Sequence, residues 1–132
     1  MSKVFQTEKI SYASAPTKFS VSVVIPAYNA EKVIIRALDS IKNQIWIRCI
    51  KEIIVVNDGS KDRTKDEVEK YQRDNPNLPV KLVNKDNGGV STARNAGLHV
   101  SSGDWIALLD ADDEWLPNKI ELQLKTIQAH PE

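Results

Sequence analysis

Three carboxylates fall within four residues at Asp110-Ala111-Asp112-Asp113, directly after the apolar run Ile106-Ala107-Leu108-Leu109. An uninterrupted run of this kind reads as a strand buried on both faces. Carboxylates gathered at the end of such a strand repel one another and are costly to desolvate. A divalent cation held between them would relieve both costs. Hard oxygen ligands suit Mg2+ or Mn2+, ions that keep several waters and take further ligands from substrate phosphates. Strict alternation aims Asp110 and Asp112 to the same side of the chain, so both can reach one bound group. The structural alternative is that these acids cap the helix that follows, where Asp is common. Asp113 fits either role.

Other residues can contribute to such a site. Asp58 follows an apolar strand and precedes Gly59-Ser60. It can accept hydrogen bonds from a ribose or a base N–H, or it can close an Asx-turn on its own backbone. Gly88-Gly89 lets the backbone approach a ligand closely, or simply turns the chain. Arg94 and Asn95 sit among Ala93, Ala96 and Gly97, whose small side chains let a helix lie close to a sheet. Arg94 can neutralise a diphosphate or one of the acids, or remain a surface arginine. Tyr28 can line a crevice or stack on a base. His99 and His130 are too far apart in sequence to suggest a histidine metal site and are expected to face solvent. A single cysteine, Cys49, excludes an internal disulfide framework and a thiolate cage.

The elements that would position these residues alternate between strand and helix. Residues 21–25 form a β-branched run stopped by Pro26, with Ala27-Tyr28-Asn29 as a loop. Residues 31–44 place Val33, Ile34, Ala37, Leu38 and Ile41 at steps of three and four, an amphipathic helix. Residues 52–56 are a second buried strand, and Asn57-Asp58-Gly59-Ser60 a turn. Residues 62–75 are a polar helix packing through Val68 and Tyr71, broken by Pro76 and Pro79. Residues 80–83 read as an edge strand, 90–100 as a short helix and 105–109 as a fourth strand. A final helix starts at Trp115-Leu116-Pro117 and carries Ile120, Leu124 and Ile127 on one face. This alternation predicts an α/β fold: an open, mostly parallel, doubly wound sheet of order 3-2-1-4 with helices on both faces. Ligands bind such sheets outside the carboxyl ends of the strands, where the winding reverses. Ala27-Tyr28, Asp58 and residues 110–113 all leave strands at that edge.

The bulk composition sets limits. The 132 residues suffice for one domain with a real core. Residues 1–19 read as a loosely ordered arm and 20–132 as the domain. Lysine plus arginine equals aspartate plus glutamate at 18 each, so no net field recruits nucleic acid or an anionic membrane. The N-terminal stretch lacks the apolar block of a secretory signal, and no run approaches the ~18 residues of a membrane span. The expectation is a cytoplasmic protein, at most peripheral to the inner face of the membrane. The chain has no Gly-x-x-x-x-Gly-Lys-Ser/Thr loop, no Gly-x-Gly-x-x-Gly after the first strand and no Gly-x-Ser-x-Gly elbow. Those absences argue against an ordinary ATPase, dehydrogenase or serine hydrolase. The acid cluster also lacks the glycine and terminal glutamate of an EF-hand loop.

Four segments together carry a resemblance. They are Val24-Ile25-Pro26-Ala27-Tyr28-Asn29, Ile54-Val55-Val56-Asn57-Asp58-Gly59-Ser60-Lys61-Asp62-Arg63-Thr64, Asn87-Gly88-Gly89-Val90-Ser91-Thr92-Ala93-Arg94-Asn95-Ala96-Gly97 and Leu109-Asp110-Ala111-Asp112-Asp113. In this order they resemble the motifs of a family 2 glycosyltransferase of the GT-A fold, over about residues 20–131. The resemblance implies a nucleotide-sugar donor, usually UDP-linked, a saccharide or lipid-linked acceptor, and inversion at the anomeric carbon. It implies that Pro26, Ala27, Tyr28 and Asp58 hold the nucleoside, with Asp58 facing the base. Asp110 and Ala111 would lie near the ribose and donor, with Arg94 supporting the site. Asp112, and with it Asp110, would bind Mn2+ or Mg2+ bridging the diphosphate.

Members of that family normally continue into further strands, an acceptor pocket and a carboxylate general base. No residue here matches that base. The expectation is therefore a truncated domain, the donor-binding part of an inverting glycosyltransferase that is inactive alone, with the outer edge of its fourth strand exposed and available for self-association. Family membership suggests polysaccharide or glycoconjugate synthesis. The alternatives are a non-catalytic nucleotide-sugar-binding module and another metal-dependent nucleotidyl- or phosphotransferase. The latter would be expected to carry a glycine- and lysine-rich loop where this chain has Pro26-Ala27-Tyr28-Asn29.

Overall fold

Strand β1 (Val21–Ala27) is buried along its whole length, as an uninterrupted apolar segment requires. A computed structural model describes this strand and the rest of residues 19–130. The expected arm over residues 1–19 lies outside the described residues except for Phe19, which packs edge-on against Trp105 with ring centroids 6.4 Å apart. After β1 come α1 (Ile34–Lys42), a 3-10 turn (Ile47–Cys49), β2 (Ile50–Asp58) and α2 (Thr64–Asp74). The chain continues through β3 (Val80–Lys85), α3 (Val90–Val100), β4 (Trp105–Leu108) and α4 (Lys119–Ala129). The four strands are parallel in the order β3-β2-β1-β4, the doubly wound arrangement expected from the alternation of strand and helix.

Both faces of the sheet are covered, and alternation along the strands divides the core. Val21, Val23, Ile25, Ile53 and Val55 pack with α1, α2 and α4 through residues such as Ile34, Leu38, Ile41, Val68, Ile120 and Leu124. Val24, Ile54 and Val56 face the other way, against Ala93 of α3. Fully burying an aliphatic side chain of this size contributes about 1.5–3 kcal/mol. The short side chains of α3 do what their size suggests. A Cβ on Gly97 would come within 2.4 Å of Val24 Cγ1, so this close approach of helix and strand depends on glycine.

Several boundaries differ from expectation. β1 runs through Pro26 to Ala27 instead of stopping at the proline. The last ladder bond to β4 is Leu109 N–H to Val24 O at 3.0 Å. Pro26 faces the same side two residues later, past the end of that pairing, so its missing N–H breaks no ladder bond. α1 begins only at Ile34, after a turn in which the Val33 and Ile34 amides both bond Ala30 O at 3.0 and 2.9 Å. α4 begins at Lys119, not near Trp115. β2 and β3 each extend to a polar end, so Asn57 and Asp58 belong to the strand and not to a turn.

The largest correction concerns β4. Its apolar sequence suggested burial on both faces, yet Trp105, Ile106 and Leu108 are 41%, 39% and 48% exposed. Only Leu109, just past the strand, is buried. β4 is the edge strand next to β1, and its outer side carries no neighbour among the described residues. The sequence therefore has the composition of an interior strand in an edge position. His99 and His130 are exposed, as expected. Cys49 is buried, which pushes its thiol pKa up.

Candidate functional site

The carboxyl ends of β1, β2 and β4 and the start of α3 surround one cleft of about 670 Å³. Its wall includes Pro26, Ala27 and Tyr28 from β1, Asp58 from β2, and Asp110, Ala111 and Asp112 from the segment after β4. Arg94 and Ala93 of α3 complete it. Pro26, Ala27, Tyr28, Asp58, Arg94, Asp110, Ala111 and Asp112 thus border the same space, whereas Gly88, Asn95 and Asp113 do not line it. Asn87, Gly89 and Val90 also line it; Gly89 was expected to admit a ligand close to the backbone or simply to turn the chain, while Asn87 and Val90 were visible only as a loop and a helix start.

The loop after β1 is held by the loop after β2. The amides of Asn29, Ala30 and Glu31 donate to Ser60 Oγ, Thr64 Oγ1 and Asp62 Oδ2 at 2.9, 2.8 and 3.1 Å. Lys61 N–H returns a bond to Asn29 Oδ1 at 2.9 Å. The amides of the loop that leads into α1 are therefore satisfied by side chains from another segment. Burial would raise the Asp62 pKa, but the Thr64 hydroxyl and the amides of Thr64 and Glu31 outweigh it and lower the value. This bracing leaves Tyr28, 49% exposed, at the cleft rim.

Asp58 is almost wholly buried and does not close a turn on itself. Asn57 Oδ1 does that, accepting from Ser60 N–H at 3.3 Å. The Asp58 carboxylate instead reaches the loop before α3. Oδ1 accepts from Lys85 Nζ at 2.8 Å and Gly88 N–H at 3.0 Å, and Oδ2 accepts from Gly89 N–H at 3.0 Å. Asn87 Nδ2 donates to the Asp58 carbonyl at 3.0 Å. Burial alone would raise the Asp58 pKa, but the Lys85 ammonium and the two glycine amides outweigh it and lower the value. Gly59 makes this contact possible: its φ is +69°, and a Cβ there would meet Asn87 N at 2.5 Å.

The acids after β4 are arranged differently. Oxygens of Asp110, Asp112 and Asp113 lie within 4.8 Å of one another. Arg94 Nη2 bonds Asp110 Oδ1 at 3.0 Å, so of the three roles open to it the structure shows the ion pair with a crevice acid. Asp112 and Asp113 accept no side-chain bond among the described residues, and Arg36 of α1 reaches only the Asp112 carbonyl, at 2.7 Å. Their backbone is fixed, however. Asp113 N–H bonds Asp110 O at 3.0 Å. Buried Gln44 donates to Leu116 O at 2.7 Å and accepts from Ile120 N–H at 3.0 Å, while Ile45 N–H bonds Pro117 O at 2.9 Å. The acids do not cap α4, which starts after Asn118. An all-carboxylate cluster with spare oxygens, open to solvent, suits a hard divalent cation that keeps some of its water.

Comparison with known proteins bears on what this cleft serves. The family model described as glycosyl transferase family 2 matches residues 22–132. The chain belongs to this family. This chain is 40% identical over 105 residues to the chondroitin synthase of Pasteurella multocida (strain Pm70), covering 80% of this chain and 10% of that protein. It is 36% identical over 106 residues to the Escherichia coli UDP-Glc:alpha-D-GlcNAc-diphosphoundecaprenol beta-1,3-glucosyltransferase WfgD, covering 80% of this chain and 40% of that protein. Among solved structures, S. aureus TarS 1-349 in complex with UDP-GlcNAc superposes with a TM-score of 0.76 at 31% identity, covering 85% of this chain and 32% of that one. This chain thus spans between a tenth and two fifths of the length of these relatives and represents part of a GT-A domain.

Proposed function

We propose that this chain is the donor-binding part of an inverting glycosyltransferase, transferring a sugar from a UDP-linked donor to a saccharide or lipid-linked acceptor in polysaccharide or glycoconjugate synthesis. One observation carries the reading: segments from three strand ends and α3 bring Pro26, Ala27, Tyr28, Asp58, Arg94, Asp110, Ala111 and Asp112 around one cleft. That cleft is large enough for a nucleoside diphosphate. The UDP-GlcNAc bound to the TarS relative supports the choice of donor class. Residues 20–132 are the proposed domain, placed in the cytoplasm and at most peripheral to the inner face of the membrane. No helix of the described residues is long and apolar enough to cross a membrane.

In this reading the chain's residues divide the work. Tyr28 and the β1 end border the nucleoside, and Asp58 with its glycine loop forms the adjoining wall. Asp112 and Asp110 would hold Mn2+ or Mg2+, with Arg94 keeping one Asp110 oxygen in place. When bound, such an ion offsets the charge that grows on a departing nucleoside diphosphate. The outer edge of β4, with its exposed apolar residues, is the proposed surface for self-association.

Calorimetric titration of UDP into the chain, with Mn2+ and again with EDTA, tests the reading. Binding should require the ion and be lost in Asp112→Ala. A folded chain that binds UDP equally with and without Mn2+ would contradict the assignment of the acids.

A further inference from the structure

Lys85 has no place in the sequence motifs and is not part of the cleft wall. Even so, its ammonium sits at the junction of three segments. It donates to Asp58 Oδ1 at the end of β2 at 2.8 Å, to the Asp86 carbonyl at 2.6 Å and to Thr92 Oγ1 in the first turn of α3 at 3.2 Å. An ammonium has three donors, and here all three are used. The side chain is 23% exposed, and that of the carboxylate it neutralises only 4%.

What Asp58 holds is the wall of the cleft. Its remaining acceptor positions take the Gly88 and Gly89 amides, and Asn87 is tied to the Asp58 carbonyl. Thr92 Oγ1 donates to Gly89 O at 2.8 Å, closing the start of α3 onto the same loop. Asn87 and Gly89 face the cleft directly. A buried carboxylate without a countercharge is disfavoured, and protonation would remove acceptor capacity that the two amides need.

We propose that Lys85 is a positioning residue: it holds Asp58 against the Gly88 and Gly89 amides and so fixes the Asn87-Gly88-Gly89 wall in the shape that receives the nucleoside. The inference rests on the donor-site reading above for the ligand, but the anchoring of the loop is independent of it.

The test compares Lys85→Met and Lys85→Arg with the unaltered chain, each first shown to be folded by thermal melting. Amide hydrogen exchange without nucleotide reads the anchor directly. Exchange at Gly88 and Gly89 should accelerate about tenfold in Lys85→Met while the amides of β1 and β2 stay protected. In the presence of Mn2+, UDP affinity should weaken about tenfold, whereas affinity for Mn2+ alone should stay unchanged because the acid cluster lies elsewhere on the wall. Lys85→Arg, which keeps a cation beside Asp58, should hold UDP within about threefold of the unaltered chain. Unchanged protection of Gly88 and Gly89 in Lys85→Met would overturn the proposal, as would equal weakening of UDP and Mn2+ binding. If the unaltered chain binds no UDP while exchange still accelerates in Lys85→Met, the anchor is upheld and the reading of the cleft falls.

Discussion

The two ends of this parallel sheet both carry carboxylates, and they treat them in opposite ways. At the amino end, Glu52 is 1% exposed. Its oxygens accept from Ser22 Oγ at 2.5 Å, Lys81 Nζ at 2.7 Å, and Ser102 N–H and Oγ at 2.6 and 2.9 Å. These partners come from β1, β3 and the turn before β4, so one side chain ties the starts of all four strands together. Burial alone would raise the Glu52 pKa, but Lys81, Ser22 and Ser102 outweigh it and bring the value down to about 2. At the carboxyl end, Asp112 and Asp113 lie open near Asp110, with oxygens unclaimed by other side chains of the described residues. Asp58 lies between these extremes, buried but turned toward a loop. A carboxylate whose acceptors are filled by protein holds the fold together; one whose acceptors are spare is available to a ligand.

If that contrast is right, substitution effects should grade along it. Glu52→Ala removes a hub and leaves the Ser102 amide and two hydroxyls without their acceptor, so stability should fall by about 3 kcal/mol in urea unfolding. Asp58→Asn keeps the shape but loses the charge and acceptor capacity facing Lys85, Gly88 and Gly89; about 2 kcal/mol is expected by the same measurement. Asp112→Asn should leave stability within about 0.5 kcal/mol, because the exposed acid supports no side-chain bond and its loss relieves repulsion. The same change should abolish any effect of Mn2+ on UDP binding. A large loss of stability in Asp112→Asn would erase the distinction between the two ends.

Acid titration sharpens the comparison further. The folded pKa of Glu52 is depressed from 4.5 to about 2. Its contribution is therefore fully present above the unfolded value and is lost as pH falls from about 4.5 toward 2. Equilibrium unfolding across that range should show the loss in the unaltered chain and a shallower dependence in Glu52→Gln.

Much of this arrangement was legible in the sequence because it depends on local pattern. The strand order, the glycine- and alanine-faced α3, and the convergence of Ala27, Asp58 and Asp110 at one edge follow from alternating elements and from where polar residues end apolar runs. The exposure of β4 was not legible from the run Ile106-Ala107-Leu108-Leu109 itself. Composition records what a strand is suited to pack against, not which neighbours it has. Lys85 was missed for a different reason. One lysine at the end of an amphipathic edge strand looks like a solvated charge, and its partners Asp58 and Thr92 lie 27 positions before and 7 after it. Glu52 was hidden in the same way, inside a strand read only for its apolar residues. Asp58 was read as a contact for ribose or base or as an Asx-turn; it borders the cleft, and its carboxylate meets four protein donors that the sequence did not reveal, counting Asn87 Nδ2 at 3.4 Å.

The Gln44 clamp has a consequence in time as well as in space. Its bonds to Leu116 O and Ile120 N–H join positions 72 and 76 residues apart. Contacts of that span carry a large loop-closure entropy and form after local helices and neighbouring strand pairs. On loop-closure grounds the acid loop is expected to be set after the local pairings, once Gln44 reaches the start of α4, so the crowding of Asp110, Asp112 and Asp113 would weigh on a late step of folding.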